Sequence, residues 1–523
     1  MFLKNTRPPS RLSEVAVFKR IRSYCLFGIK AVPVSVEVDA SQGLPGFTLV
    51  GLPDNAVRES RERVVSAIRS IGKVVTGYRT TVNLSPADLR KEGSALDLPL
   101  AIGLLVSAGE ISVNRLERYV FVGELSLDGL LKPVRGILSI AMSLAKDGSV
   151  LVIPRGNAQE ASLVEGLRYV CADSLGECVG CLESDDDSCI KTAEGLKTNY
   201  RQEREDVPDF ENVVGMESVK RALEVAAAGA HNFLLVGSPG AGKTLCARCL
   251  PGILPEMTEQ EILETTRIHS CARRAGDSGE FKPVTSRPFR TPHHSASMVS
   301  LVGGGSRLAP GEASLAHNGV LFLDELPEFN RSVLEALREP MEEGAISVSR
   351  ASGTVVWPAR FMMGAAMNPC PCGFAMDPKR ECTCLPEARK RYRDKISGPL
   401  LDRIDIQVSV PPIETKSFEG NPKGESSASI RSRVCKARDI QRERFAGTTY
   451  RSNAEMSSDA AHRFAEMSKG TEKFAITAAD RMNLSARGYY RLLKVARTIA
   501  DLRGSGKVDV EDLSEALRYR AYR

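Results

Sequence analysis

Nowhere in the chain do apolar residues run unbroken for the roughly 18 positions that a membrane-crossing helix requires, so no transmembrane segment is expected. The opening stretch, MFLKNTRPPSRLSEVAVFKRIRS, interrupts its apolar residues with charges and lacks the form of an export signal or anchor. Charge of one sign is also missing. The formal net charge is only +6 over 523 residues, too little by itself to indicate a polyanion partner. Compositional bias is absent as well: 42% hydrophobic and 26% charged residues exclude a disordered or fibrous chain. Thirteen cysteines without an export signal argue against a disulfide framework, which belongs to small secreted domains. They point to reduced thiols in the cytoplasm, some available to a metal.

A chain of this length exceeds a single core and predicts about three domains. The segment 183–206, ESDDDSCIKTAEGLKTNYRQERED, is polar and poor in large apolar groups, so it reads as a linker. Before it, AVPVSVEVDA and TTVNLS alternate as strands do, and DNAVRESRERVVSAIRSI has helical spacing. After it, strand-like FLLVG and VLFLDE are separated by helical stretches, as in a parallel sheet with crossovers. A second polar stretch, EGNPKGESSAS, precedes a run of helices. The expectation is an α/β multidomain protein: a first domain over 1–182, a linker over 183–207, a nucleotide-binding domain over 208–418 and a helical lid over 419–523. Residues 431–523 carry 20 Lys and Arg against 12 Asp and Glu, which makes this part the most basic surface.

GSPGAGKT, residues 237–244, follows the apolar strand FLLV and opens a helix. This is a phosphate-binding loop in its proper setting: glycines let backbone N–H groups converge on phosphates at a helix N-terminus. Gly237, Ser238, Pro239, Gly240, Ala241 and Gly242 form the cradle, Lys243 would neutralise the β- and γ-phosphates of ATP, and Thr244 would hold Mg²⁺. VLFLDE ends an apolar strand in two carboxylates. Asp324 is expected to bind Mg²⁺ through water and Glu325 to polarise the attacking water. FMMGAAMNPC is a further strand, with Asn368 at its end placed to orient that water.

Directly after Asn368 come two Cys-x-Cys pairs, Cys370/Cys372 and Cys382/Cys384, in a polar loop around MDPKRE. Four thiolates close a tetrahedron and leave no open position, which points to structural Zn²⁺; reduced core thiols are the alternative. Cys178 and Cys181 form a lone C-x-x-C that carries no metal by itself. His293 and His294 have no carboxylate or Cys at ligand spacing and read as structural or hydrogen-bonding residues. GAISVSRASGTVVWPARF, 344–361, alternates around Ala-Ser-Gly and predicts a β-hairpin. Arg350 near its tip reads equally as a grip on a phosphate backbone and as a solvated turn residue.

This strand order and spacing resemble AAA+ ATPases, in which Asn368 would be the sensor 1 residue. LLDRIDI would supply Arg403 as an arginine finger acting on the neighbouring subunit, and LSARGYYR would supply Arg487 as sensor 2. Longer stretches, including FRTPHHSASMVSLVGGG, PGEASLAHNGVLFLDELPEFNRSVLEALREPMEEG, NPCPCG, SGPLLDRIDI and GLPGFTLVGLPDNAVRESRERV, are similar to the magnesium-chelatase-like ComM (YifB) family. The resemblance covers nearly the whole chain. It implies an ATP-driven homo-oligomer, most often a hexamer, that acts on DNA without sequence preference as a helicase and branch-migration motor in recombination and natural transformation. In related motors a hairpin like 344–361 projects into the pore.

Residues 15–180 resemble the Lon protease catalytic domain, a fold related to ribosomal S5 domain 2. KEGSALDLPLAIG puts Ser94 near that protease's nucleophile, but Leu138 stands where a lysine base is needed, and Lys132 precedes the helix. The dyad is broken, and the domain reads as an assembly or DNA-handling collar. Two other functions compete with a DNA motor. One is an ATP-dependent protease or unfoldase feeding Ser94. The other is a magnesium-chelatase-like metal-insertion motor, against which the fused first domain and the cysteine tetrad count.

Overall fold

The computed structural model describes residues 18–42, 44, 46–75, 78–91, 93–184, 187–196, 207–273, 281–305, 308–350, 353–412 and 423–520. The chain divides into two units. The first is built on the residues up to 199, and the second holds both the parallel sheet after residue 207 and the C-terminal helices.

An eight-stranded mixed sheet organises the first unit, in the order Lys191–Thr192, Arg168–Ala172, Val150–Pro154, Tyr119–Phe121, Lys19–Phe27, Lys30–Gln42, Tyr78–Ser85, Gly46–Val50. Period-two burial of Val34, Val36 and Val38 turns one face of the long second strand to the core. Helix Asn55–Ser70 starts where the Asp54 carboxylate accepts the Val57 N–H, and it buries Val57, Val64, Ala67 and Ile68 along one stripe. Helix Asp97–Ser107 is buried all round, which its composition DLPLAIGLLVS explains. Its Asp97 pairs with Arg63 at 2.8 Å, yet burial outweighs that partner and pushes the carboxyl up to about 6.

The polar segment 183–206 is not linker throughout. Lys191–Thr192 pairs antiparallel with Arg168–Ala172, and Ala193 is buried, so this part closes the first sheet's edge. A strand of two residues is too short to show alternation in sequence. Residues 197–206 lie outside the described residues, as do 419–422 of the second polar stretch, whose end is already helical from Ser427.

The second unit carries a five-stranded, wholly parallel sheet in the order Phe289–Arg290, Val320–Leu323, Met362–Met367, Phe233–Gly237, Ile406–Val410. Its central strands are apolar and fully buried, as parallel strands covered on both faces must be. Gly364 lets the two inner strands close up, since a Cβ there would stand 2.4 Å from the Phe233 ring.

Helices Ser427–Arg444, Ser458–Ala465, Lys469–Arg481, Ala486–Arg503 and Val510–Arg518 complete this unit. Leu492, Leu493, Val495, Ala496, Ile499 and Ala500 of the fourth pack into the same core as Phe233, Leu235 and Ile406. A buried polar network ties this helix to the sheet's lower end. His231 contacts Asp405 at 3.2 Å and Thr498 at 2.8 Å, and Arg491 pairs with Asp405 at 3.0 Å. Strands Ala345–Arg350 and Gly353–Pro358 form a separate two-stranded sheet. The side chain of Arg350 lies outside the described residues.

Candidate nucleotide site

The site forms where three neighbouring parallel strands end. Gly237 closes the first of them, and a Cβ there would meet the Val410 carbonyl at 2.4 Å, so glycine lets the chain turn away from the sheet. Gly240 and Gly242 have φ of +75° and +82°, values that favour glycine, and helix Lys243–Cys249 begins directly behind them.

Lys243 folds its ammonium back into this loop. Nζ donates to the carbonyls of Gly237 at 2.8 Å and Ser238 at 2.9 Å, and to Asn368 Oδ1 at 3.1 Å. Burial pulls its pKa below the ordinary lysine value. A buried ammonium held only by neutral oxygens is an incomplete arrangement; an anion would complete it. Ser238 is buried beside it with a hydroxyl that has no partner among the described residues. The Thr244 hydroxyl donates to Asp324 Oδ2 at 2.7 Å, so a hydroxyl and a carboxylate, the hard oxygen donors that Mg²⁺ takes, face the same space.

Glu325 lies one residue beyond Asp324 in left-handed backbone, φ +54°, and its N–H is held by Asp324 Oδ1 at 2.9 Å. Its carboxylate reaches His294, whose Nδ1 is 3.2 Å from Glu325 Oε2. His293 lies against His294 with ring centroids 4.1 Å apart and planes tilted by 34°, and it bonds Ser295, while Phe329 meets His294 edge-on. The His pair is therefore a hydrogen-bonding feature, and it sits on the carboxylate expected to act on water. Sequence spacing offers no signal for this contact, which joins residues on different strand connections.

Arg403 and Arg487 are not at this site. Arg403 precedes strand Ile406–Val410, which runs parallel and in register with the strand that ends in the phosphate-binding loop. It therefore lies at the sheet's opposite end, about 16 Å away by the rise of five strand residues. Its guanidinium is buried, donates to the Pro399 carbonyl at 2.7 Å and pairs with Glu342, and its Nε has no partner among the described residues. Burial pulls its pKa down, and the nearby charges of Arg338, Arg487 and Arg491 act in the same direction against the pull of Glu342. Arg487, exposed at the start of helix Ala486–Arg503, is thus close enough for its charge to be felt at Arg403, one turn before the Arg491 that grips Asp405.

The four cysteines converge beside the phosphate-binding loop. Sγ of Cys370 lies 3.3 Å from that of Cys372 and 3.6 Å from that of Cys382, and Cys372 and Cys382 are 3.5 Å apart. All four sulfurs fall within 4.8 Å of one another. A tetrahedron with Zn–S of about 2.3 Å has edges of about 3.8 Å, so the set fits a thiolate-bound zinc ion. A backbone N–H from Phe374 and the neighbouring thiols bring the Cys372 thiol down to about 6, while burial pushes Cys370 up to about 11. Cys178, by contrast, is buried in helix Leu175–Glu183, where burial pushes its thiol up.

In the first unit, the Ser94 hydroxyl donates to the Glu124 carboxylate, and Leu138 is fully buried. Lys132 is exposed and lies across the ribbon from Glu124. Ser94 faces no lysine base among these residues.

A phosphate-binding loop and an acidic strand end on one parallel sheet, followed by C-terminal helices, define an AAA+ nucleotide-binding unit of the magnesium-chelatase type. Family models described as magnesium chelatase, subunit ChlI, and its C-terminal part match residues 209–418 and 424–520. The chain belongs to the ComM/YifB family of these proteins. It is 42% identical over 502 residues to competence protein ComM of Haemophilus influenzae, covering 96% of this chain and 97% of that protein. To YifB of Escherichia coli it is 42% identical over 503 residues, 96% of each. The chloroplastic magnesium-chelatase subunit ChlI of Chlamydomonas reinhardtii is 24% identical over 206 residues, 34% of this chain and 48% of that protein. A further model, described as subunit ChlI of Mg-chelatase, matches residues 36–157. The first domain therefore does not by itself separate this chain from chelatase-named families, contrary to expectation. Among the described residues, no helix is long and apolar enough to cross a membrane.

Proposed function

We propose that this protein is an ATP-driven motor on DNA, a homohexamer that unwinds or branch-migrates DNA during recombination and the uptake of incoming DNA. One observation carries the reading: Lys243, Thr244, Asp324, Glu325 and Asn368 gather at one end of the sheet, and Arg403 with Arg487 at the other. Neither arginine reaches the site of its own chain, so each would serve the site of a neighbour in a ring. Lys243 would leave its carbonyl partners for the β- and γ-phosphates, Thr244 and Asp324 would hold Mg²⁺, which would neutralise phosphate charge, and Asn368 and Glu325 would orient and polarise the attacking water. A neighbouring arginine then balances the charge that develops on the transferred phosphoryl, an effect worth about 10³ to 10⁵ in rate in related enzymes.

Competence, in the name of the Haemophilus relative, supports DNA as the substrate. So does basic surface: helix Pro386–Arg393, PEARKRYR, exposes most of its cations directly after the cysteines. Hairpin 345–358 would meet the DNA backbone, and such contacts carry no sequence information. The cysteine tetrad would hold structural zinc that stiffens this loop. Protein localisation would be cytoplasmic. The test is strand displacement and Holliday-junction migration by purified protein; ATP-dependent product is expected, and its absence from hexameric, ATP-hydrolysing protein would overturn the DNA assignment.

A further inference from the structure

The cysteine loop is built against the nucleotide loop. Cys370 is fully buried two residues beyond Asn368, the residue that holds Lys243. Gly373, directly after the first Cys-x-Cys knuckle at φ +85°, presses its backbone on Pro239 of the phosphate-binding loop. A Cβ at Gly373 would stand 2.4 Å from Pro239 Cδ and 2.6 Å from Cγ. Between Cys370 and Cys384 there is neither helix nor strand. The knuckle is fastened from the far side by Cys382 and Cys384, through the thiol cluster and the Cys372 N–H to Cys384 Sγ contact at 3.3 Å. A loop without secondary structure that ends in four converging thiols depends on the ion they bind for its shape. Whatever fixes that shape also fixes the surface on which Pro239 rests.

We propose that the metal bound by Cys370, Cys372, Cys382 and Cys384 is a clamp on the phosphate-binding loop, so that its occupancy sets the affinity for nucleotide. The inference rests on the readings of the tetrad as a zinc site and of residues 237–244 as a nucleotide site. Coupling between two sites is reciprocal: zinc tightens nucleotide binding, and nucleotide tightens zinc binding by the same factor. A factor on the order of tenfold is expected for loops in direct contact.

The experiment uses the full chain, loaded with zinc or stripped by a chelator selective for zinc over Mg²⁺, with Mg²⁺ in excess. A fluorescent ATP analogue reports Kd, elemental analysis reports zinc, and Co²⁺ substitution reports tetrahedral thiolate ligation by its absorption. Stripped protein should bind the analogue about tenfold more weakly and recover on zinc addition. Pro239→Ala should keep its zinc while the gap between loaded and stripped Kd shrinks, an outcome that general unfolding would not give. Equal Kd with and without zinc, in protein that binds both, overturns the clamp alone. Absence of zinc together with absence of the cobalt spectrum overturns the clamp along with the metal reading. Zinc retained with no nucleotide bound in either state overturns it along with the nucleotide site.

Discussion

His294 Nδ1 lies 3.2 Å from Oε2 of Glu325, so the carboxylate expected to polarise water is engaged by an imidazole from the neighbouring strand connection. In this arrangement His294 holds one oxygen of Glu325 and so competes with water for that carboxylate. His294→Ala should release it. Basal ATP turnover is expected to rise severalfold with little change in KM, and stimulation by DNA should shrink, whereas His294→Asn should stay near wild type. A steady-state ATPase assay with and without DNA checks this; a collapse to the level of Glu325→Gln would contradict it.

Lys243→Ala removes the only cation in the cradle and should abolish nucleotide binding. Glu325→Gln should bind ATP, hydrolyse it at a small fraction of the wild-type rate and accumulate as assembled rings. Nucleotide binding and size-exclusion chromatography with ATP separate the two outcomes, and normal turnover by either variant would overturn the site.

Much of this site is legible in sequence because it is local. The phosphate-binding loop, the acidic strand end and Asn368 each sit at the C-terminal end of a short apolar run, and parallel strands bring such ends together. The contacts that depend on how distant loops meet are not legible. His294 and Glu325 are joined by neighbouring strands, Gly373 meets Pro239 by close approach, and no periodicity marks either pair. Arg403 could be read as a finger from its motif, but its position at the opposite end of the sheet, with Arg487 beside it, follows only from strand direction and register. The edge strand Lys191–Thr192 escaped detection because its two residues lie in a charged, linker-like segment.

Asp97 gives the first unit a pH dependence. The unfolded carboxyl titrates near 3.8 and the folded one at about 6, so the folded chain holds the proton more tightly. Its contribution is therefore fully present below the unfolded value and is lost as pH rises through the folded one. The loss is on the order of 3 kcal/mol. Denaturant unfolding of the first unit's signal across this window should show that decline, and Asp97→Asn should flatten it; an unchanged slope in the variant would assign the dependence to another group.

Zinc should be present at about one ion per chain, as four thiolates require. Cys382→Ser is expected to lower it several-fold by elemental analysis, and zinc-free wild-type protein after growth with zinc would remove the metal from the account.

The most direct measurement of the central claim mixes two inactive subunits. Arg403→Ala should bind ATP but turn it over slowly, and Lys243→Ala should not bind it, yet Lys243→Ala still offers its own arginines to a neighbour. Mixed rings should regain ATPase activity above either variant alone. Well-mixed rings that remain as inactive as their parents would contradict a site completed by the adjoining subunit.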